Sequence, residues 1–164
     1  MLRQAGIELE WSDWDCAVSG GSAGENSDVC AVPFPRGDLW VYFIGPLEKL
    51  NPWVDRNALG LSLIPDTHEP ATTAYVSWPR IQKLSAATSA GVTELLGLAT
   101  AHEIGHLLFG AHGHAYQGIM RATWRLRDLK AKAWEEFQFT EDQARRLRAA
   151  VRARQQAGEF VATE

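Results

Sequence analysis

The chain has 164 residues, 46% of them hydrophobic and 22% charged, and a formal net charge of -4. That length accommodates one compact domain spanning 1–164 and leaves no room for a second core; the apolar content is enough to bury that core, which excludes a disordered chain. The acidic balance, with no long block of lysine and arginine, excludes nucleic acid or an anionic membrane as the main partner, and a monomer is expected.

Ile7-Glu8-Leu9-Glu10-Trp11 alternates apolar and polar residues and predicts a half-buried strand. The following stretch, to about Gly37, is rich in Gly, Ser, Asn and Asp and reads as a loop. It holds Cys16 and Cys30, which have neither CxxC spacing nor a nearby histidine, so a disulfide restraining the loop is expected rather than a metal or redox pair. An extracytoplasmic or secreted location is expected, although Met1-Leu2-Arg3-Gln4 leads into no continuous apolar segment and no secretory signal is visible. Leu39 to Ile44 is a run of β-branched and aromatic residues closed by Gly45-Pro46, and predicts a strand buried on both faces at the sheet centre. Leu59 to Ile64 and Ala74 to Trp78, closed by Pro65 and Pro79, predict two further strands. Pro79 opens a short helix to about Ala86. Trp40, Trp53 and Trp78 are expected in the core.

After Gly91, Thr93 is the expected cap of a helix that runs to Phe109 and stops at Gly110. This is the most apolar part of the chain, but Glu94, His102, Glu103 and His106 interrupt it, which rules out a membrane span. Thr140-Glu141-Asp142-Gln143 resembles a capping box and introduces the last helix, Ala144 to about Gln156. Arg145, Arg146, Arg148, Arg152 and Arg154 fit the solvated side of that helix. The expected architecture is a single α/β (α+β) domain, a small mixed twisted sheet with the Thr93 helix on one face and the C-terminal helix behind it.

His102 and His106 stand four residues apart, so their imidazoles lie one turn apart on one helical face and can grip one ion. Glu103 is rotated about 100° from His102, which puts its carboxylate beside the ion as a base rather than a third ligand. Zinc with three protein ligands and an open position lowers the pKa of a bound water and polarises a carbonyl; Glu103 would take the water's proton and return it to the leaving amine. Chance alone gives these offsets in about one chain of this length in a few hundred, so the residues downstream matter.

Those residues are Gly110, His112, His114 and Gly118-Ile119-Met120. The segment resembles the metzincin clan of zinc peptidases, whose HExxHxxGxxH pattern is followed by a Met-containing turn. Strict clan spacing selects His112 as third ligand. Phe109 occupies the clan's glycine position and Gly110 follows one place later; a one-residue delay in the turn is compatible with His112 rotated away and His114 brought inward, and geometry alone leaves both histidines open as third ligand. A closer resemblance is to small bacterial zinc-dependent proteases that read HExGHxLLGxxxHSxxGIMRAxW, which His102, Glu103, Gly105, His106, Leu108, Gly110, His114, Gly118, Ile119, Met120, Arg121, Ala122 and Trp124 match without a gap. Ala115 in place of serine and the extra His112 are departures from it. The resemblance implies a zincin-like fold, zinc as cofactor, a peptide or protein substrate, His114 as third ligand, and Met120 as an apolar floor under the histidines.

Two other readings keep the same helix. A non-catalytic zinc-binding or partner-binding module would more often close its metal with four Cys or His ligands and has no need of Glu103. A gluzincin-type peptidase would take a carboxylate such as Glu135 or Glu136 as third ligand. For a peptidase, a substrate strand would add to an exposed edge of the Leu59 to Ile64 or Ala74 to Trp78 strand. Arg121 and Trp124 would either line the site or pack, and Tyr116 is expected at the surface.

Overall fold

The computed structural model describes residues 1–11, 38–67, 69–110 and 113–159. Cys16 and Cys30, His68 and His112 lie outside the described residues, and with them the expected disulfide and the alternative third ligand. The described elements are three strands, β1 (Trp40–Ile44), β2 (Gly60–Leu63) and β3 (Thr73–Ser77), and four helices, α1 (Trp78–Thr88), α2 (Val92–Phe109), α3 (Leu126–Lys130) and α4 (Glu141–Glu159). The protein is a small mixed α/β domain.

The sheet order is β1-β3-β2, with β1 parallel and β2 antiparallel to β3. β3 is therefore the centre, which corrects the expectation for Leu39 to Ile44. That run is apolar, but β1 is an edge among the described strands and Phe43 is 52% exposed; hydrophobicity alone does not tell an edge from a centre. β3 carries the buried positions, Ala74 and Val76, opposite Ser62 and Gly60 of β2 in the register. Ile7 to Trp11 forms no strand. Ile7 closes a turn with its N–H on the Leu2 carbonyl, and its side chain enters the core from there. Trp53 (93% exposed) and Trp78 (42%) are on the surface rather than in the core, while Trp40 stacks on Tyr42, which stacks on Tyr75.

α2 is apolar nearly all round, the mark of a helix covered on several sides. It packs on β2 and β3 and is covered by α1 and α4. Leu95, Leu98, Ala99, Ile104 and Leu107 are buried along it, each larger aliphatic side chain contributing about 1.5–3 kcal/mol. The N-cap is Gly91, with no side-chain cap bond, so Thr93 does not cap it. Gly110 ends it at φ 79° and ψ -165°, a conformation that is essentially open to glycine alone. Gly110→Ala is expected to cost about 1–3 kcal/mol, read as a lower urea midpoint; among the described residues no neighbour lies within 4 Å of the added carbon, so backbone strain is the cause. Wild-type stability in this variant would contradict that conformation.

The predicted capping box is present. Gln143 N–H donates to Thr140 Oγ1 (3.3 Å) and Thr140 N–H to Gln143 Oε1 (2.9 Å), and α4 starts there. Most of its arginines are engaged within the chain. Arg148 donates to the Ala5 carbonyl, Arg154 donates to the carbonyls of Ala71 and Leu107, Arg146 lies over the Phe109 ring, and Arg145 pairs with Asp142. Arg154 thereby caps a carbonyl of the last turn of α2, where a cation also complements the helix dipole. No helix among the described residues is long and apolar enough to cross a membrane.

Candidate metal centre

α2 puts His102 and His106 on one face, and the chain returns through Gly110 so that His114 meets them. The Nε2 atoms of His102 and His106 are 3.0 Å apart and those of His106 and His114 3.1 Å. One ligand atom from each of the three lies within 4.8 Å of the others. A tetrahedral ion ~2.05 Å from each nitrogen would hold them roughly 3.3 Å apart, so this convergence fits one first-row metal ion. Neutral imidazole is the ligating form, and the surroundings favour it. Burial holds His102 down at about 4, with the His114 charge adding to the effect and the bond to Ile119 opposing it. Burial, then the charges of His102 and His114, hold His106 down at about 3. Glu135 and Glu136 are exposed on a 3-10 turn, Trp134–Phe137, and do not belong to this cluster.

The four surrounding contacts are specific. His102 Nδ1–H donates to the Ile119 carbonyl at 2.8 Å, which leaves Nε2 as the lone-pair nitrogen. Met120 is fully buried, and a methyl group on Gly105 would lie 2.4 Å from its sulfur, so only glycine between the two helical histidines lets the methionine lie beneath them. Gly113 does the same for His106, whose Nδ1 would be 2.7 Å from an added carbon. Trp124 meets His102 edge to face, ring centroids 5.8 Å apart, while Arg121 is packed away from the histidines, bonded to Asp128 at 3.2 Å and lying over Phe137. Tyr116 is fully exposed, as expected of a loop tyrosine.

Glu103 is buried and lies against β2. Ser62 Oγ–H donates to its Oε2 at 2.7 Å, and a side chain on Gly60 would collide with Oε1 at 2.5 Å. Burial pushes this carboxyl up to about 7, with the Ser62 bond opposing. Ser62 and Gly60 carry no sequence signal of their role: a serine and a glycine in a short strand are commonplace, and only the β2 register places them under the helix.

These values set how the metal-free protein responds to pH. Unfolded histidines titrate near 6.5, whereas the folded values are about 4 and about 3. The folded state binds fewer protons through that window, so stability falls as pH drops from about 6.5 toward 4. Glu103 acts oppositely: its raised value favours the folded state on the acid side, and that contribution is lost as pH rises through 7. Two histidines outweigh one carboxyl, so the urea midpoint of chelator-treated protein is expected to be lower at about pH 5 than at pH 7, with the slope flattened or, through Glu103, reversed in a His102→Gln, His106→Gln variant. An unchanged slope in that variant would assign the effect elsewhere.

No family profile matches the chain, and no curated protein and no solved structure shows significant similarity to it. The geometry of the three histidines and Glu103 therefore stands by itself.

Proposed function

We propose that the protein is a zinc-dependent peptidase of the metzincin type, hydrolysing a peptide or protein substrate, with His102, His106 and His114 as metal ligands and Glu103 as general base. The observation that carries this reading is the convergence of three imidazole nitrogens, two of them from the helix that also carries the buried carboxyl of Glu103. The zincin-like fold, the metzincin turn and zinc itself belong to the proposal; an apolar Met120 under the histidines and Gly110 at the end of α2 support them. Three histidines and, among the described residues, no fourth protein ligand in the cluster favour a catalytic over a structural ion.

Zinc held there would supply the Lewis acidity that polarises a substrate carbonyl and makes water a nucleophile near neutral pH. Glu103 accepts the proton of the attacking water and delivers it to the departing amide nitrogen, so one carboxyl serves as base and then acid. A value of about 7 suits both duties, and a divalent cation beside it would draw it down toward the carboxylate needed first. Ser62 holds one carboxylate oxygen and steers the other. β2 carries Ser62 and pairs only with β3 among the described residues, so its open side is the edge on which an extended substrate would add as a strand. β3 is central and is removed as a candidate for that role.

The test is direct. Purified protein should hold about one zinc per chain, and the loaded form should cleave members of a broad peptide library that chelator-treated protein leaves intact. A folded wild type that takes up no metal sinks the reading.

A further inference from the structure

Ile119 lies where the return loop meets α2, and its peptide group is held on both sides. Its N–H donates to the Gln138 carbonyl at 3.0 Å. Its own carbonyl accepts two donors, His102 Nδ1–H at 2.8 Å and the indole N–H of Trp124 at 3.0 Å. A carbonyl oxygen has two lone pairs, and both are used. Trp124 is in turn wedged edge-on against Phe137, centroids 5.5 Å apart, and Phe137 is fully buried. The indole thus stands between the core and the His102 ring and touches both.

We infer that Trp124 is a positioning residue for the candidate metal centre: its indole N–H fixes the Ile119 carbonyl, and that carbonyl decides which nitrogen of His102 faces His106 and His114. The inference rests on the metal-centre reading but adds a residue outside the ligand set. The physical basis is tautomer selection. A neutral imidazole carries its proton on either nitrogen, and an acceptor fixed opposite Nδ1 retains the proton there and leaves the Nε2 lone pair for the ion. Without the indole N–H, the Ile119 carbonyl loses one of its two anchoring donors, and its direction is set by the loop alone. The contact of 5.8 Å between the indole and His102 also limits ring rotation. Core packing alone would explain an aromatic residue at 124; it would not require a donor.

Trp124→Phe separates the two, because phenylalanine keeps the aromatic contact with Phe137 and lacks the N–H. Two readouts are taken on the full chain. Nitrogen-15 NMR of the metal-free protein reports the His102 tautomer, expected to be Nδ1–H in the wild type and a mixture in the variant. Competition with a chromophoric chelator reports Zn2+ affinity, expected to fall about tenfold or more, with an unchanged circular dichroism spectrum. A variant with wild-type tautomer and wild-type zinc affinity overturns the inference while leaving the metal centre standing. Wild-type protein that binds no zinc defeats the metal reading instead, on a different readout. Should Trp124→Phe fail to fold, the wild-type spectrum still decides: His102 protonated at Nε2, or an indole N–H of Trp124 exchanging as freely as an exposed one, overturns it.

Discussion

His102→Ala and His106→Ala are each expected to weaken zinc binding roughly 100- to 1000-fold. Binding free energies of about 10–16 kcal/mol for zinc held by four protein ligands, divided among them, give about 2.5–4 kcal/mol apiece, and every 1.4 kcal/mol is tenfold. His114→Ala should produce a loss of the same order, since its Nε2 is as close to His106 as that of His102 is. The expectation for His114 is the sharper one. It is exposed and reaches the cluster only because Gly110 turns the chain back, so a protein that retains its zinc without His114 would have another third ligand, and His112→Ala measured in parallel would show whether that is His112. Chelator competition gives the affinities, and circular dichroism of the metal-free forms shows that the fold survives.

Replacing Glu103 separates binding from chemistry. Glu103→Gln keeps the size of the side chain and an acceptor for Ser62 but cannot take a proton; it is expected to retain zinc while kcat/KM for any peptide the wild type cleaves falls by about 10²–10⁴-fold. Glu103→Ala should lose as much activity and be less stable, because it leaves Ser62 and the space beside Gly60 without a partner in a buried region. Unchanged cleavage by Glu103→Gln would remove this residue from the mechanism, whatever the metal content.

Local pattern carried far at the site. The four-residue spacing of His102 and His106 follows from helical periodicity, and a long apolar run with a glycine after it is enough to place α2 and its end. The Thr140 to Gln143 capping box was legible for the same reason: both partners lie within one turn. Local pattern misleads where distant contacts decide. Leu39 to Ile44 reads as a central strand because it is apolar, yet β3 takes the centre by pairing with both neighbours. Ile7 to Trp11 has the alternation of a strand but no partner strand among the described residues, and a turn buries Ile7 instead. The arginines of α4 look like a solvated face, whereas Arg148 and Arg154 reach carbonyls of Ala5, Ala71 and Leu107 far away in sequence.

The sequence by itself determined the candidate chemistry: two histidines and a glutamate on one helix, a helix stop at Gly110, and His114 and Met120 just beyond. Spacing along a single helix dictates the two histidines and the glutamate, because helical geometry converts residue number directly into direction; His114 and Met120 lie beyond that helix, and the resemblance to zinc peptidases is what points to them. Only the tertiary structure decided what surrounds those groups. Ser62 and Gly60 meet Glu103 through the register of β2 on β3, and Ile119 and Trp124 meet His102 through the packing of the return loop on the core. Such contacts join residues whose separation in sequence carries no information about their distance, so no local pattern could have announced them.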